Sequence, residues 1–341
     1  MKITKIETEI RRIELKTPFK TALRTATHVE FVRVHVTDEN GAVGIGEAPA
    51  TKAITGEDID DILNSIESVK EYFMGMSPKE SLAVLHTKKI GSSAKAALDM
   101  AFVSLDAKQK NRSLAEHFCI EDFTPIKTDI TISLNEAAVM LSDAKKAYGE
   151  CMEILKVKVG KDIEHAIEVV KKISKELPQA EILVDANQAW SLEESLFFIQ
   201  NMKDVKIELI EQPVIASDLD GLKKITELSH IPILADEAAF GLKDVKAVVE
   251  SQSANMINIK FMKCGGVTKA IEILEYAREK KVPCMLGSML EGPYSINMAL
   301  YLAFAYRDVI KYVDLDSPLL YKEPSNELDF TFNGCEISLK K

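Results

Sequence analysis

Two patterns of apolar and polar positions divide the chain. In the first 115 or so residues, stretches 3–15, 31–37 and 42–47 alternate or gather β-branched side chains, as strands do. Asp38-Glu39-Asn40-Gly41 separates two of them and predicts a hairpin turn. Stretches 58–73, 78–86 and 92–110 follow with helical spacing. The last carries Ala96, Ala97, Met100, Ala101, Val103 and Leu105 on a broad apolar face. Strands followed by helices predict an α+β domain over residues 1–120.

From about Thr124 the pattern changes to short apolar runs alternating with amphipathic stretches. The runs are 126–132, 154–159, 181–184, 207–210, 231–235, 256–259, 283–286 and 309–313. Asp162 reads as the N-cap of a helix over 163–177 that Pro178 closes. Ser191-Leu192-Glu193-Glu194 has the form of a capping box. A further helix over 268–280 follows Gly265-Gly266 and stops before Pro283. Strand–helix alternation over about 190 residues predicts an α/β fold: a TIM-type (β/α) barrel spanning 121–324, not an open sheet. Stretch 328–339 is strand-like again, and segment 325–341 is expected to return to the first domain.

Composition narrows the function classes. The 341 residues carry a formal net charge of −10 with both signs interspersed, which excludes the basic face that nucleic-acid binding needs. The N-terminus MKITKIETEI lacks an apolar signal core, and no run is long enough to span a bilayer. The five cysteines, Cys119, Cys151, Cys264, Cys284 and Cys335, form no CxxC pair and read as reduced thiols. A cytoplasmic location without membrane or nucleic-acid partners is expected. The six histidines show no metal-ligand spacing, and Gly44-Ile45-Gly46 and Gly265-Gly266 are not phosphate fingerprints. Trp190 reads as packing.

The chemistry lies where the apolar runs end. Lys156-Val157-Lys158, Asp185-Ala186-Asn187, Glu211-Gln212-Pro213, Asp236-Glu237 and Ile259-Lys260 each close a run, about 25 residues apart. In a barrel those ends surround one cavity. Any one acid there could simply cap the following helix. Three at matched positions, Asp185, Glu211 and Asp236, would repel one another unless a cation neutralised them, and all-oxygen ligation suits Mg²⁺. Lys156 and Lys158 are two apart on one strand and share the interior face. Two ammonium groups together near a divalent cation are expected to lower each other's pKa, making a usable base. Lys260 approaches from four strands further round. Asp314-Leu315-Asp316, near the end of the last run, can project two carboxylates to one side and clamp an ammonium group, or can form a solvated turn before Pro318.

These motifs, in this order, resemble the enolase superfamily. Within it they resemble the muconate-lactonizing-enzyme subgroup and, most closely, dipeptide epimerases of the L-Ala-D/L-Glu type. The resemblance covers nearly the whole chain and makes the N-terminal domain a capping domain. It implies metal ligation by Asp185, Glu211 and Asp236, and acid/base roles for Lys158 and Lys260. It further implies that Lys156 tunes Lys158 and helps neutralise a substrate carboxylate, and that Asp314 and Asp316 bind the dipeptide's amine. An arginine at the place of Arg24 would meet an acidic side chain. Thr131 and Ser288-Met289-Leu290 would lie near the substrate backbone. The mandelate-racemase branch would put a histidine near the seventh strand, where this chain has Cys284-Met285-Leu286-Gly287.

The expected reaction is therefore Mg²⁺-dependent 1,1-proton transfer at the α-carbon of a dipeptide's C-terminal residue, in a homo-oligomer. A cycloisomerase or o-succinylbenzoate synthase of the same subgroup is the alternative, but its substrates carry no ammonium for Asp314 and Asp316. A metal- and peptide-binding barrel without turnover would not need both lysines.

Overall fold

The computed structural model describes residues 1–22 and 24–340. Its N-terminal part opens with three antiparallel strands, β1 (Ile3–Lys20), β2 (Thr25–Asp38) and β3 (Val43–Pro49), in the order β1-β2-β3. The turn between β2 and β3 forms as its residues require. Asp38 Oδ1 accepts hydrogen bonds from the Asn40 and Ala42 N–H groups at 2.9 and 3.0 Å, and Gly41 takes φ +80°. The Ala-rich helix Ser92–Gln109 lies directly on this sheet. A Cβ on Gly44 would stand 2.1 Å from the Ala101 carbonyl oxygen, and one on Gly46 2.0 Å from that of Ala97. Glycine at both places lets backbone meet backbone.

The rest of the chain begins with β4 (Ile126–Lys127) and then builds eight parallel strands. These are β5 (Ile130–Ile132), β6 (Ile154–Lys158), β7 (Glu181–Asp185), β8 (Leu209–Glu211), β9 (Ile233–Ala235), β10 (Met256–Ile259), β11 (Cys284–Gly287) and β12 (Ile310–Asp314), paired in sequence order. The seam between β12 and β5 is bridged by the Asp129 N–H to the Val313 carbonyl at 3.1 Å, with Thr128 Oγ1 donating to the same oxygen at 3.2 Å. Helices between the strands carry the predicted caps: Asp162 accepts from the His165 N–H, and Ser191 and Glu194 form a capping box. The described residues thus form a near-closed (β/α) barrel preceded by an antiparallel sheet and helices.

Strand periodicity explains how this barrel carries a polar site on an apolar floor. Ile154, Leu183, Leu209, Leu234, Met256, Met285 and Tyr312 pack together as one buried layer inside the strands. Two residues further along, on the same inward face, stand Lys156, Asp185, Glu211, Asp236, Asn258, Gly287 and Asp314. Intervening residues such as Val157, Val184 and Ile210 belong to the larger cluster shared with the helices.

Two differences from the sequence reading have clear causes. Run 126–132 is not one strand. Thr128 and Asp129 turn their backbone N–H groups to Cys335 and Val313, splitting it into β4 and β5. Stretch 328–339 folds as a hairpin, β13 (Phe330–Asn333) and β14 (Glu336–Leu339), and β14 pairs with β4 instead of with the N-terminal sheet. Contact with that sheet runs through the residues just before. The Lys322 N–H meets the Glu14 carbonyl at 2.8 Å, and Glu327 takes a two-pronged ion pair from Arg33 at 2.7 and 2.8 Å. Arg33 also holds Glu47 at 2.7 Å, and Glu47 Oε2 in turn accepts from the Tyr294 and Ser295 N–H groups at the start of helix Pro293–Ala305.

Candidate active site

Barrel register brings the charged residues level. Lys158 pairs with Asp185 across β6 and β7, and Asp185 with Glu211 across β7 and β8. Lys156 is almost fully buried, and its Nζ stands 2.6 Å from Asp314 Oδ2, 2.7 Å from Glu211 Oε2 and 3.2 Å from Asp185 Oδ2. Lys158 Nζ is 2.5 Å from Asp185 Oδ2. On the far wall Lys260 Nζ is 2.8 Å from Asp236 Oδ2 and 4.0 Å from Glu211 Oε1. All three lysines and all three carboxylates therefore share one constellation.

The electrostatics follow from this crowding. Burial works against ionisation of Asp185, but Lys158 and Lys156 outweigh it and hold the carboxyl at about 2. Asp236 is likewise held far below the usual range by Lys260 and Lys263 against the pull of burial. Glu211 goes the other way: burial and the charge of Asp185 raise it. The lowered pKa expected at Lys156 from its pairing with Lys158 does not occur, and Lys260 behaves as Lys156 does. Burial pulls both down, yet attraction to Asp314 and to Asp236 respectively wins, and both rise. The lysines are acting as counter-ions to the acids.

A divalent cation fits this donor set. Glu211 Oε2 is buried with Lys156 at 2.7 Å but off the line of a hydrogen bond, so it lacks a directed partner. Asp185, Glu211 and Asp236 offer only oxygens, which suits Mg²⁺. The ammonium groups of Lys156 and Lys260 lie between these acids. Among the described residues, the carboxyl trio with oxygens all within 4.8 Å of one another is a different one: Asp129, Asp314 and Asp316.

The remaining predicted residues line the same cavity: Arg24, Thr131, Ser288, Met289, Leu290, Asp314 and Asp316, together with Lys158, Asp236 and Lys260. Asp316 Oδ2 accepts the Thr131 N–H at 2.7 Å, while burial and Asp314 raise its carboxyl to about 6. Ser288 donates through both N–H and Oγ to the Asp314 carbonyl. The Arg24 guanidinium makes no ion pair among the described residues. Its Nη1 reaches the Ala50 carbonyl at 3.5 Å, and burial lowers its pKa.

Several contributors escaped the sequence reading. Lys263 is fully buried and gives its ammonium to Asp236 Oδ1, the Asp236 carbonyl, and the Ala239 and Asn258 carbonyls at 2.6–3.1 Å. Asn258 Nδ2 holds Glu211 Oε1 at 2.7 Å. Glu237 meets Asn187 at 3.4 Å, and burial with Asp236 raises it to about 8. Glu291 pins the loop before it, accepting the Met289 N–H at 2.7 Å and a bond from Ser295 Oγ. The signal for Asn258 was present: it stands on β10 two residues before Lys260, whose backbone is still extended, so both face inward.

A barrel whose strand ends gather three carboxylates among lysines, beneath an N-terminal sheet domain, is the build of an enolase-superfamily enzyme. The chain belongs to the mandelate racemase/muconate lactonizing enzyme family. Residues 5–118 match that family's N-terminal domain and residues 139–339 the enolase C-terminal domain-like family. An L-amino acid-D/L-Glu epimerase of Sulfurimonas denitrificans is 67% identical over 338 residues, 99% of each chain. The substrate-liganded L-Ala-D/L-Glu epimerase of Bacillus subtilis superimposes with a TM-score of 0.95 at 37% identity, covering 99% of this chain and 96% of that one. The dipeptide epimerase of Enterococcus faecalis, complexed with Mg and L-Leu-L-Tyr, does so with 0.92 at 31% identity, covering 100% and 98%.

Proposed function

We propose that the protein is a Mg²⁺-dependent dipeptide epimerase that inverts the α-carbon of the C-terminal residue by two-lysine 1,1-proton transfer. One observation carries this reading. Lys158 on β6 and Lys260 just after β10 stand four strands apart in an eight-stranded barrel, and both line the cavity that also holds Asp314, Asp316 and Arg24. An α-carbon held between them would meet a proton-transfer group on each face.

Asp185, Glu211 and Asp236 would hold the metal. Bound there, Mg²⁺ would neutralise the acids that now engage the lysines and stabilise the negative charge developing on the substrate carboxylate. Lys158 and Lys260 are the catalytic pair: one takes the α-proton and the other returns a proton to the opposite face. Lys156 is a fixed positive charge beside that carboxylate. Lys263 and Asn258 keep Asp236 and Glu211 in place. Asp314 and Asp316 receive the dipeptide's ammonium group, with Thr131 and the Ser288-Met289-Leu290 loop along its backbone. Arg24, half-buried and without an ion pair among the described residues, favours an acidic C-terminal side chain such as Glu. The buried Asp314–Asp316 pair weighs against cycloisomerase-type substrates, which have no cation to offer it.

The same proposal covers a capping domain over 1–120 that segment 325–341 rejoins through the Glu327–Arg33 pair, a barrel over 121–324, a homo-oligomer and a cytoplasmic location. No helix among the described residues is long and apolar enough to cross a membrane. The test is a dipeptide library incubated with enzyme and Mg²⁺ in D₂O and read by mass spectrometry. Deuterium should enter the α-position of L-Ala-L-Glu and related dipeptides. A library with no deuterated member overturns the reading.

A further inference from the structure

Asp129 is fully buried, and among the described residues neither of its carboxyl oxygens has a hydrogen-bond partner. Its place in the fold is fixed by its backbone, which bridges the barrel seam to Val313. Thr131 follows two residues later on the same face of extended chain. The Thr131 N–H holds Asp316, while the Asp129 carboxyl lies within reach of Asp314. The strand end opposite Asp314-Leu315-Asp316 therefore gives Asp316 a donor and gives Asp314 only another acid.

Charge makes that arrangement untenable with every acid ionised. Asp129, Asp314 and Asp316 bring oxygens within 4.8 Å of one another, all buried. Among the described residues, the cation that touches the trio is Lys156, at 2.6 Å from Asp314, and it is shared with Glu211 and Asp185. Asp314 has this ammonium and Asp316 has the Thr131 N–H. A single proton on Asp129 relieves the repulsion and turns an orphaned acceptor into a donor for Asp314. Burial and the charge of Asp314 push the Asp129 carboxyl well above the usual carboxylate range, against the pull of Lys156.

We propose that Asp129 works as a neutral carboxylic acid that donates a hydrogen bond to Asp314 and so positions it to receive the substrate's ammonium group. The inference rests on the dipeptide reading above. Asp129 is a positioning residue, acting through Asp314. Its proton keeps the amine subsite at two negative charges, not three, while leaving Asp314 anionic.

The test compares Asp129→Asn and Asp129→Leu with the parent. Asn keeps a donor toward Asp314 without a titrating group; Leu keeps the branching at Cγ and removes the donor. With L-Ala-L-Glu as probe, Asn should stay within about threefold of the parent kcat/KM. Leu should lose roughly 10- to 100-fold, mostly in KM, as expected for a hydrogen bond to a charged group. A parent-minus-Asn infrared difference spectrum at neutral pH should show the carbonyl stretch of one protonated carboxylic acid. If that band is missing, or Asn is as poor as Leu, the proton assignment is overturned. If the parent turns over N-acetylated dipeptides as well as free ones, the ammonium assignment falls with the dipeptide reading. The infrared band and the Asn–Leu comparison separate those two failures.

Discussion

Lys158 and Lys260 face each other across the barrel mouth, each paired with a different acid: Asp185 at 2.5 Å and Asp236 at 2.8 Å. Neither acid serves both lysines at these short distances, so the two proposed bases can be released and used separately. Lys158→Ala should lower epimerisation by roughly 10²- to 10⁴-fold, the usual size of a general acid–base contribution. It should still exchange the α-proton of the one stereoisomer that Lys260 faces. Lys260→Ala should exchange the other. Proton NMR in D₂O with each pure stereoisomer checks this, and full epimerisation by either variant would refute the two-base assignment.

The carboxylates give a second prediction. Asp185, Glu211 and Asp236 meet in a buried space where lysines now balance them. Dialysis against a chelator should abolish turnover, and Mg²⁺ should restore it. Glu211→Gln removes the acid whose Oε2 lacks a directed partner, so activity should fall toward background even with excess Mg²⁺. A coupled assay across a Mg²⁺ titration measures both, and full activity in metal-free protein would rule the mechanism out.

The third concerns the two ends of the substrate. Removing one partner of a buried charged pair costs about 2–5 kcal/mol, roughly 30- to 5,000-fold in kcat/KM. Asp316→Asn should show a loss in that range with free dipeptides, and N-acetylated dipeptides should be poor substrates for the parent. Arg24→Ala should hurt Ala-Glu more than Ala-Ala. A silent Asp316→Asn together with tolerated N-acetylation would favour a substrate without an amine.

Stability should depend on pH through Glu291. Burial raises its carboxyl from 4.5 to about 7, with the Ser295 and Met289 hydrogen bonds opposing. The native state therefore binds this proton more tightly than the unfolded chain. The contribution is complete below pH 4.5 and is lost as pH rises to about 7. A shift of this size corresponds to about 2–4 kcal/mol. Glu291→Gln is neutral at every pH and should flatten that part of the curve, gaining Tm relative to the parent at pH 8 but not at pH 4. Differential scanning calorimetry at the two pH values decides it; parallel curves would show that Glu291 does not titrate there.

The sequence was most legible where periodicity and charge coincide. Lys156, Asp185, Glu211 and Asp236 each follow an apolar residue two positions earlier that faces the same interior, so both the barrel and its polar layer could be read from spacing. Less legible was what depends on neighbours distant in sequence. Lys263 carried no signal in the sequence because its four acceptors come from Asp236, Ala239 and Asn258, which only the folded β9–β10 ends bring together. Stretch 328–339 was read as a strand, but the choice of β4 as its partner depends on where the barrel seam closes. The raised pKa of Lys156 was not legible for the same reason: its pairing with Lys158 on one strand was visible, and the ring of acids around it was not.

The close seating of β3 on helix Ser92–Gln109 bears on how the enzyme could be redesigned. With carbonyls only about 2 Å from where side chains at Gly44 and Gly46 would begin, that contact tolerates no added bulk. Phe19, Arg24, Ala53 and Ile54 reach the cavity from chain segments around the start of β2 and just after β3. A mutational library aimed at new dipeptides should therefore randomise those segments and leave both glycines fixed. Keeping them unchanged is what would let the rim be rewritten while the lysines and acids below keep their spacing.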